Sequence, residues 1–146
     1  MRPQYAEEAF SGEGARITGG RWNSRGHPVV YTASTVSLAT LELLVNVPQR
    51  ERIREYVVLH CWFPEAIVET VDRAMLPDNW RDLPHPPRLQ QIGNEWLESR
   101  ASVVLAVPSA VIETETNYLI NPEHPDFGSV ETGEPKRFTL DRRLFI

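Results

Sequence analysis

Apolar residues along the chain fall into short runs, and the length and flanks of each run predict the secondary structure. Six runs are rich in β-branched and aromatic residues and predict strands, at residues 28–32, 56–63, 67–71, 102–107, 117–120 and 137–140. The run at 56–63 is the longest and has low polarity, which indicates a central strand covered on both faces. We therefore expect the β-rich portion to carry the core.

A helix is predicted over residues 36 to about 47. Ser34 or Thr35 can cap its first turn, and Pro48 closes its end. Apolar residues lie on nearly every side of this helix, a pattern that is typical of a buried helix. Glu42 is its one ionisable residue.

A second helix is predicted from about Arg88 to Ser99. Its inward face is expected to consist of Leu89, Ile92, Trp96 and Leu97. Gly93 weakens this helix, because glycine has a low helix propensity. Residues 76–88 contain four prolines and predict no regular structure. The glycine-rich stretch at 11–26 is also expected to be irregular.

The totals describe an ordinary folded chain. It has 146 residues, of which 41% are hydrophobic and 24% charged, so we expect one domain over residues 1–146. Strands outnumber helices in a mixed order, which predicts an α+β fold. The formal net charge is −5. This balance is unlike that of a protein that grips a phosphate backbone, so we expect no direct nucleic-acid partner.

Cysteine usage and hydropathy bear on the compartment. The chain has a single cysteine, Cys61, which excludes an intramolecular disulfide and mildly favours a reducing compartment. Cys61 lies inside a predicted strand and is expected to pack as a small hydrophobic residue. We see no signal peptide and no apolar run near the roughly 20 residues that span a bilayer. A cytoplasmic protein without a membrane partner is therefore expected.

Glu42 is the first candidate for chemistry. At 100° per residue it lies beside Leu38 and Val45, on a helix with little polar surface. One interpretation is a carboxylate that reaches water at the helix edge or pairs with a core arginine. The other is a desolvated carboxylate in a pocket, where burial and a nearby cation set its protonation state.

A second candidate is the segment Gly19-Gly20-Arg21-Trp22-Asn23-Ser24. Paired glycines let a ligand approach the main chain, and an arginine can donate two hydrogen bonds to a phosphate or carboxylate. The segment is neither a Walker loop nor a Rossmann fingerprint, because the residues and elements that those motifs need are missing. The alternative interpretation is a glycine turn with a surface arginine.

Other motifs are weaker. The four histidines are scattered, at His27, His60, His85 and His124, so a zinc site is not expected. No Gly-x-Ser-x-Gly elbow is present, which removes the simplest hydrolase interpretation. Ser109 follows Pro108 directly at the end of a predicted strand, where functional loops often begin.

Together, several segments resemble the RES domain family in order and spacing. They are Gly12-Glu13-Gly14-Ala15, Gly19-Gly20-Arg21-Trp22-Asn23, Val29-Val30-Tyr31-Thr32, Ser37-Leu38-Ala39-Thr40-Leu41-Glu42, Val107-Pro108-Ser109-Ala110-Val111 and Asn117-Tyr118-Leu119-Ile120-Asn121-Pro122-Glu123-His124-Pro125. The arginine, glutamate and serine of the family name match Arg21, Glu42 and Ser109, with Ser102 and Ser129 as alternatives for the serine.

The resemblance implies a fold similar to that of ADP-ribosyltransferases, with a mixed β core, flanking helices and a cleft for NAD as substrate. Such proteins are toxins of bacterial toxin–antitoxin pairs, neutralised by a helical partner that resembles Xre-type regulators. They deplete NAD by hydrolysis or phosphorolysis, or transfer ADP-ribose to a protein target. The resemblance implies catalytic roles for Glu42, Arg21 and Tyr31. It implies NAD contacts for Arg21, Tyr31, Ser109, Trp22 and Asn23.

One departure and two rival functions remain. Family sequences usually begin with a short strand that carries an arginine, whereas this chain begins at Met1, so Arg2 is a candidate substitute. One rival is a ribonuclease-type toxin, which predicts a basic face. The other is a non-catalytic binding module, in which Glu42 and Arg21 form a structural ion pair.

Overall fold

The computed structural model describes residues 1–49 and 55–145. The helices are α1 (Glu13–Thr18), α2 (Val36–Asn46) and α3 (Pro87–Ser99). The strands are β1 (Val30–Ala33), β2 (Tyr56–Val58), β3 (Cys61–Trp62), β4 (Val68–Thr70), β5 (Val104–Pro108), β6 (Thr116–Ile120), β7 (Glu131–Thr132) and β8 (Lys136–Phe138). Mixed order and an excess of strands confirm the predicted α+β class.

The main sheet has four strands in the order β1-β6-β5-β4. β4 runs parallel to β5, and the other neighbours are antiparallel. Every residue of β5 is buried, so β5 is the central strand of the fold. Asn117 of β6 lies between Ala33 of β1 and Val107 of β5 in this register.

Each face of the main sheet has its own apolar core. On one face, the predicted inward side of α3 packs with residues of β5 and β6, and this core contains Trp22, Leu89, Ile92, Trp96, Leu97, Leu105, Val107 and Leu119. On the other face, Val30, Val104 and Ile120 are covered by aromatic and aliphatic side chains that include Cys61. Cys61 thus packs as predicted, and burial raises the pKa of its thiol.

The prediction of a central strand over residues 56–63 is wrong. Within the described residues, this run is divided into β2, which pairs with β8, and β3, which pairs with β7. The Trp62 side chain is 58% exposed. The low polarity of residues 56–63 predicts a strand, but it does not determine how many strands pair with it. That number depends on residues 131–138, which are far away in sequence.

The expectation that α2 is buried is also wrong. Thr35 caps this helix as predicted, because its side chain accepts a hydrogen bond from the Leu38 N–H. Leu38 is the one fully buried residue of α2, whereas Leu41 is 39% and Val45 62% exposed. The helix packs mainly against edge strand β1, which leaves apolar side chains on its other sides exposed.

The stretch at 11–26 is more regular than expected, because it contains α1. Gly12 and Gly19 flank this helix with positive φ values of 72° and 69°, and glycine adopts such values without strain. Arg16 pairs with Glu13 one turn earlier, which supports the short helix. Over residues 1–49 and 55–145, we find no helix with the length and apolar character needed to cross a bilayer.

Candidate active site

A cleft of about 640 Å³ opens between the 19–24 segment, α2 and the proline-rich segment. This volume lies within the usual range of about 300–1,000 Å³ for ligand pockets. The charged and titratable side chains that line it are Arg21, Tyr31, Glu42, Arg81 and His85. The fold therefore brings together Arg21, Tyr31 and Glu42, the three residues predicted to be catalytic.

The Glu42 carboxylate is held by two neutral donors. Its Oε1 accepts hydrogen bonds from Ser109 Oγ at 2.8 Å and from Asn117 Nδ2 at 2.7 Å. Among the described residues, none donates to Oε2. One oxygen of the carboxylate is therefore fixed by the protein, and the other is available to a ligand in the cleft.

Ser109 lies behind the carboxylate instead of facing the cleft. It follows β5 directly, its N–H donates to the Glu115 carbonyl, and its side chain is 0% exposed. The Oγ accepts hydrogen bonds from the N–H groups of Val111 and Ile112 while it donates to Glu42. The Ser109 hydroxyl is thus fully used within the protein, and its direct contact with NAD stays a prediction.

The alternative serines do not reach this position. Ser102 accepts a hydrogen bond from the Trp96 indole and donates to the Val104 carbonyl, at the opposite end of β5. Ser129 is exposed in a short turn that precedes β7. Arg2, the candidate substitute for a first-strand arginine, does not line the cleft either.

Arg21 is anchored by the main chain of the proline-rich segment. Its Nη1 donates to the carbonyl of Trp80 at 2.7 Å and to that of Asp82 at 3.3 Å. Burial lowers the pKa of Arg21, and the negative charge of Glu42 opposes this shift. No ion pair within 4.0 Å joins these two described residues, so Arg21 and Glu42 share the cleft without neutralising each other directly.

The Tyr31 hydroxyl is a structural group. It donates to Asn23 Oδ1 at 2.7 Å and accepts from the Trp22 N–H at 3.1 Å. Burial raises the pKa of Tyr31 far above its ordinary value, although the side chain as a whole is 42% exposed. A Cβ at Gly20 would lie 2.7 Å from this hydroxyl, which explains the glycine. Tyr31 therefore offers its ring, and not its hydroxyl, to the cleft.

The Asn23 side chain is also used within the protein, and its contact with NAD stays a prediction. Asn23 is 0% exposed, and its Nδ2 donates to the carbonyls of Ala15, Ser24 and His27. Its Oδ1 accepts from Tyr31. The side chain thus holds the 19–24 segment in shape. Trp22 is 3% exposed and belongs mainly to the core under α3.

Three residues of the cleft were missed as individual site residues. Asn117 was named only as the first residue of the 117–125 segment that resembles the RES domain family. Arg81 donates to the Ala110 carbonyl and pairs with Glu113 at 3.2 Å. Burial and the Arg21 charge lower the pKa of His85, which favours the neutral imidazole. Nothing local in the proline-rich segment indicated that Arg81 or His85 reaches a cleft.

The described residues were compared with the requirements of a metal site. Within the described ranges, no group of three or more His, Cys, Asp or Glu side chains is arranged to hold a metal. The charged and titratable side chains of the cleft instead supply one carboxylate, two arginines, one imidazole and one phenol ring. This combination suits an organic anion that also carries a cationic or aromatic group.

Comparison with known proteins agrees with this architecture. The chain is 38% identical over 142 residues to "Toxin Res" of Yersinia enterocolitica, covering 97% of this chain and 93% of the relative. It is 33% identical to "Prs ADP-ribosylating toxin" of a Sphingobium species, with coverages of 96% and 89%.

A solved structure and a family model complete the comparison. The toxin–antitoxin complex MbcT–MbcA of M. tuberculosis contains a similar fold, with a TM-score of 0.67 at 17% identity, over 92% of this chain and 78% of that chain. The model of the RES domain matches residues 1–141, that is, nearly the whole sequence. This chain therefore belongs to the RES domain family.

Proposed function

We propose that this protein is the toxin of a bacterial toxin–antitoxin pair and that it cleaves the bond between nicotinamide and ribose in NAD. The observation that carries the proposal is a carboxylate, Glu42, held through one oxygen in a cleft that also contains the cation of Arg21. The names of the relatives, "Toxin Res" and "Prs ADP-ribosylating toxin", support it. So does the toxin–antitoxin complex with a similar fold.

The chemistry requires a stabilised cation more than an acid. When the bond breaks, its electron pair moves to the nicotinamide nitrogen and cancels the positive charge there, so the leaving group departs neutral. The ribose becomes oxocarbenium-like, as in other glycoside cleavages. Glu42, ionised and fixed through Oε1, accepts a ribose hydroxyl at Oε2 and stabilises the developing positive charge.

Arg21 and Tyr31 hold the substrate. Within the described residues, Nη1 is the one nitrogen of the Arg21 guanidinium that has hydrogen-bond partners. The other N–H groups of Arg21 are therefore available to bind the pyrophosphate. The Tyr31 ring stacks on nicotinamide, because its hydroxyl is occupied while its ring faces the cleft. Both residues thus act through atoms that the fold leaves unused.

The antitoxin partner is proposed to cover the mouth of this cleft. Leu83 and Val45 line the cleft and are 82% and 62% exposed. A helical protein that resembles Xre-type regulators would bury both side chains and exclude NAD at the same time. With its own activity on NAD as the reference, a Leu83→Asp or Val45→Asp variant would then be inhibited less by the antitoxin than the parent is.

The experiment that tests the function is the release of nicotinamide from NAD by the purified protein, with Glu42→Gln as the matched control. Release by the parent alone supports the proposal, and no release refutes it. Degradation of RNA without NAD would identify a ribonuclease, which the net charge of −5 disfavours. Tight NAD binding without cleavage would identify a binding module.

The fate of ADP-ribose is the second measurement. Water, phosphate and a protein side chain are the three acceptors to distinguish, and each gives a product of different mass. Labelled NAD followed by mass spectrometry separates free ADP-ribose, its 1-phosphate and a modified protein. Free ADP-ribose or its 1-phosphate would show depletion of NAD, and a modified protein would show transfer of ADP-ribose to a protein.

A further inference from the structure

Asn117 makes an unusual contact for a residue in the interior of a sheet. It lies on β6 between β1 and β5, paired with Ala33 on one side and Val107 on the other. Its Nδ2 donates to Glu42 Oε1 at 2.7 Å. The other end of the same amide, Oδ1, is buried and accepts no hydrogen bond from the described residues.

An unsatisfied buried oxygen costs folding free energy. The opposite rotamer of the amide would place Oδ1 against the Glu42 carboxylate, where two acceptors repel, so the carboxylate dictates the orientation seen. An apolar side chain at this position would avoid the buried orphan oxygen. The unsatisfied Oδ1 therefore lowers the free energy of unfolding, whereas the Nδ2 of the same amide provides an N–H donor to Glu42.

Ser109 supplies the second donor from a different element. Its Oγ is fixed by the N–H groups of Val111 and Ile112, so its proton points toward Glu42. Two donors from adjacent strand ends, both on Oε1, leave the carboxylate no freedom to rotate without losing both bonds. The consequence is a defined position for Oε2.

We propose that Asn117 is a positioning residue that, together with Ser109, locks the Glu42 carboxylate so that Oε2 is presented to the substrate. This inference rests on the proposed cleavage of NAD and adds a residue to it. Asn117 acts through Glu42 and does not itself need to touch the reacting atoms.

The charged groups around Glu42 determine what effect a new charge at position 117 would have on its carboxylate. The titratable and charged groups that line the cleft with Glu42 are Arg21, Tyr31, Arg81 and His85, from the 19–24 segment, β1 and the proline-rich segment. The two described hydrogen-bond partners of the Glu42 carboxylate, Ser109 and Asn117, are neutral. A carboxylate introduced at position 117 would be the first negative charge in contact with Glu42.

The test compares Asn117→Ala, Asn117→Asp and a matched control, Asn121→Ala, in nicotinamide release and thermal unfolding. Asn121 is a buried asparagine just after β6, and among the described residues its side chain bonds to the Leu97 carbonyl and the Glu123 N–H. We expect Asn117→Ala to lower kcat by about 10- to 100-fold with little change in KM and no fall in Tm. Asn121→Ala should lower Tm and keep the parental kcat.

Asn117→Asp is isosteric, preserves the fold and carries the test if the alanine variant unfolds. Two adjacent carboxylates share a proton, because two negative charges in contact repel each other. In the Asn117→Asp variant, the fall of kcat on the acidic side of the pH profile should therefore occur at higher pH than in the parent. Parental kcat in Asn117→Ala, or an unmoved profile in Asn117→Asp, would overturn the inference while the parent still releases nicotinamide. An inactive parent would instead refute the proposed function itself.

Discussion

Gly93, in the middle of α3, lies against the main chain of Trp22 so closely that a Cβ on Gly93 would overlap the Trp22 carbonyl oxygen. The residue next to Trp22 is Arg21, which lines the cleft. The contact therefore sets the distance between the helix and the segment that carries the cationic side chain. Gly93 was predicted to weaken α3, and the structure gives the reason why no side chain is accepted there.

Gly93→Ala should destabilise the protein. The overlap forces the helix and the 19–24 segment apart, at a cost of about 1–3 kcal/mol for overpacking. The matched control is Gly14→Ala in α1, where nothing lies within 4 Å of an added Cβ. That variant should gain about 0.5–1 kcal/mol from helix propensity alone. Urea unfolding of both variants checks the opposite signs, and equal effects would contradict the contact.

Glu42→Gln should keep the fold and lose turnover. The amide oxygen of glutamine can accept the same bonds from Ser109 and Asn117, so the local structure is retained. The negative charge is lost, and removal of one electrostatic contribution of this kind costs about 10²–10³ in kcat. Nicotinamide release under saturating NAD measures the effect. A parental rate in the folded variant would exclude the proposed role.

Arg21→Ala should weaken NAD binding. Loss of hydrogen bonds from a charged donor costs about 1.5–3 kcal/mol, which corresponds to roughly 10- to 150-fold in Kd. Calorimetry in the inactive Glu42→Gln background measures binding without turnover. Arg21→Lys, which keeps the charge but lacks the planar fork, should give an intermediate Kd. An unchanged Kd in the alanine variant would reject the assignment to the pyrophosphate.

Tyr31→Phe tests the structural role of the hydroxyl. The change leaves Asn23 Oδ1 and the Trp22 N–H without their partner inside the protein. A buried group left unsatisfied costs about 1–3 kcal/mol, so the midpoint of urea unfolding should fall. The ring remains for stacking, so the Kd for NAD should change less than in Arg21→Ala. An unaltered unfolding curve would show that the hydroxyl bonds contribute nothing to the fold.

His85 should titrate below its ordinary pKa of 6.5, because burial and the charge of Arg21 both disfavour the imidazolium. As pH falls below about 6.5, the unfolded chain takes up this proton first. His85 thus contributes stability at higher pH that is lost as pH drops through its folded-state pKa. NMR titration of the imidazole in the parent protein measures the midpoint.

Arg21→Ala provides the internal check on that titration. Removal of one of the two causes should raise the pKa of His85 toward 6.5, with the burial contribution left in place. Arg81→Ala is the matched control, since Arg81 is not among the causes of the shift although it also lines the cleft. Equal midpoints in the parent and Arg21→Ala would contradict an electrostatic contact between Arg21 and His85.

Several features of the fold could be predicted from the sequence, because they depend on interactions between neighbouring residues. The Thr35 cap and the inward face of α3 depend on neighbours within a few residues and appear as expected, and the strand predicted at 102–107 is observed at 104–108. Glu42 was singled out because an ionisable residue stood alone on an apolar helix. Arg21 was recognised by its two preceding glycines.

Tertiary structure decided what those residues touch. The register of β5 and β6 places Ser109 and Asn117 side by side, and α2 then brings Glu42 onto both from more than 60 residues away. Pairing of 56–63 with residues 131–138 made that run peripheral, and the position of α2 on an edge strand left it exposed. Local patterns record the apolar character of each segment, whereas burial and hydrogen-bond partners depend on strand pairing between distant residues.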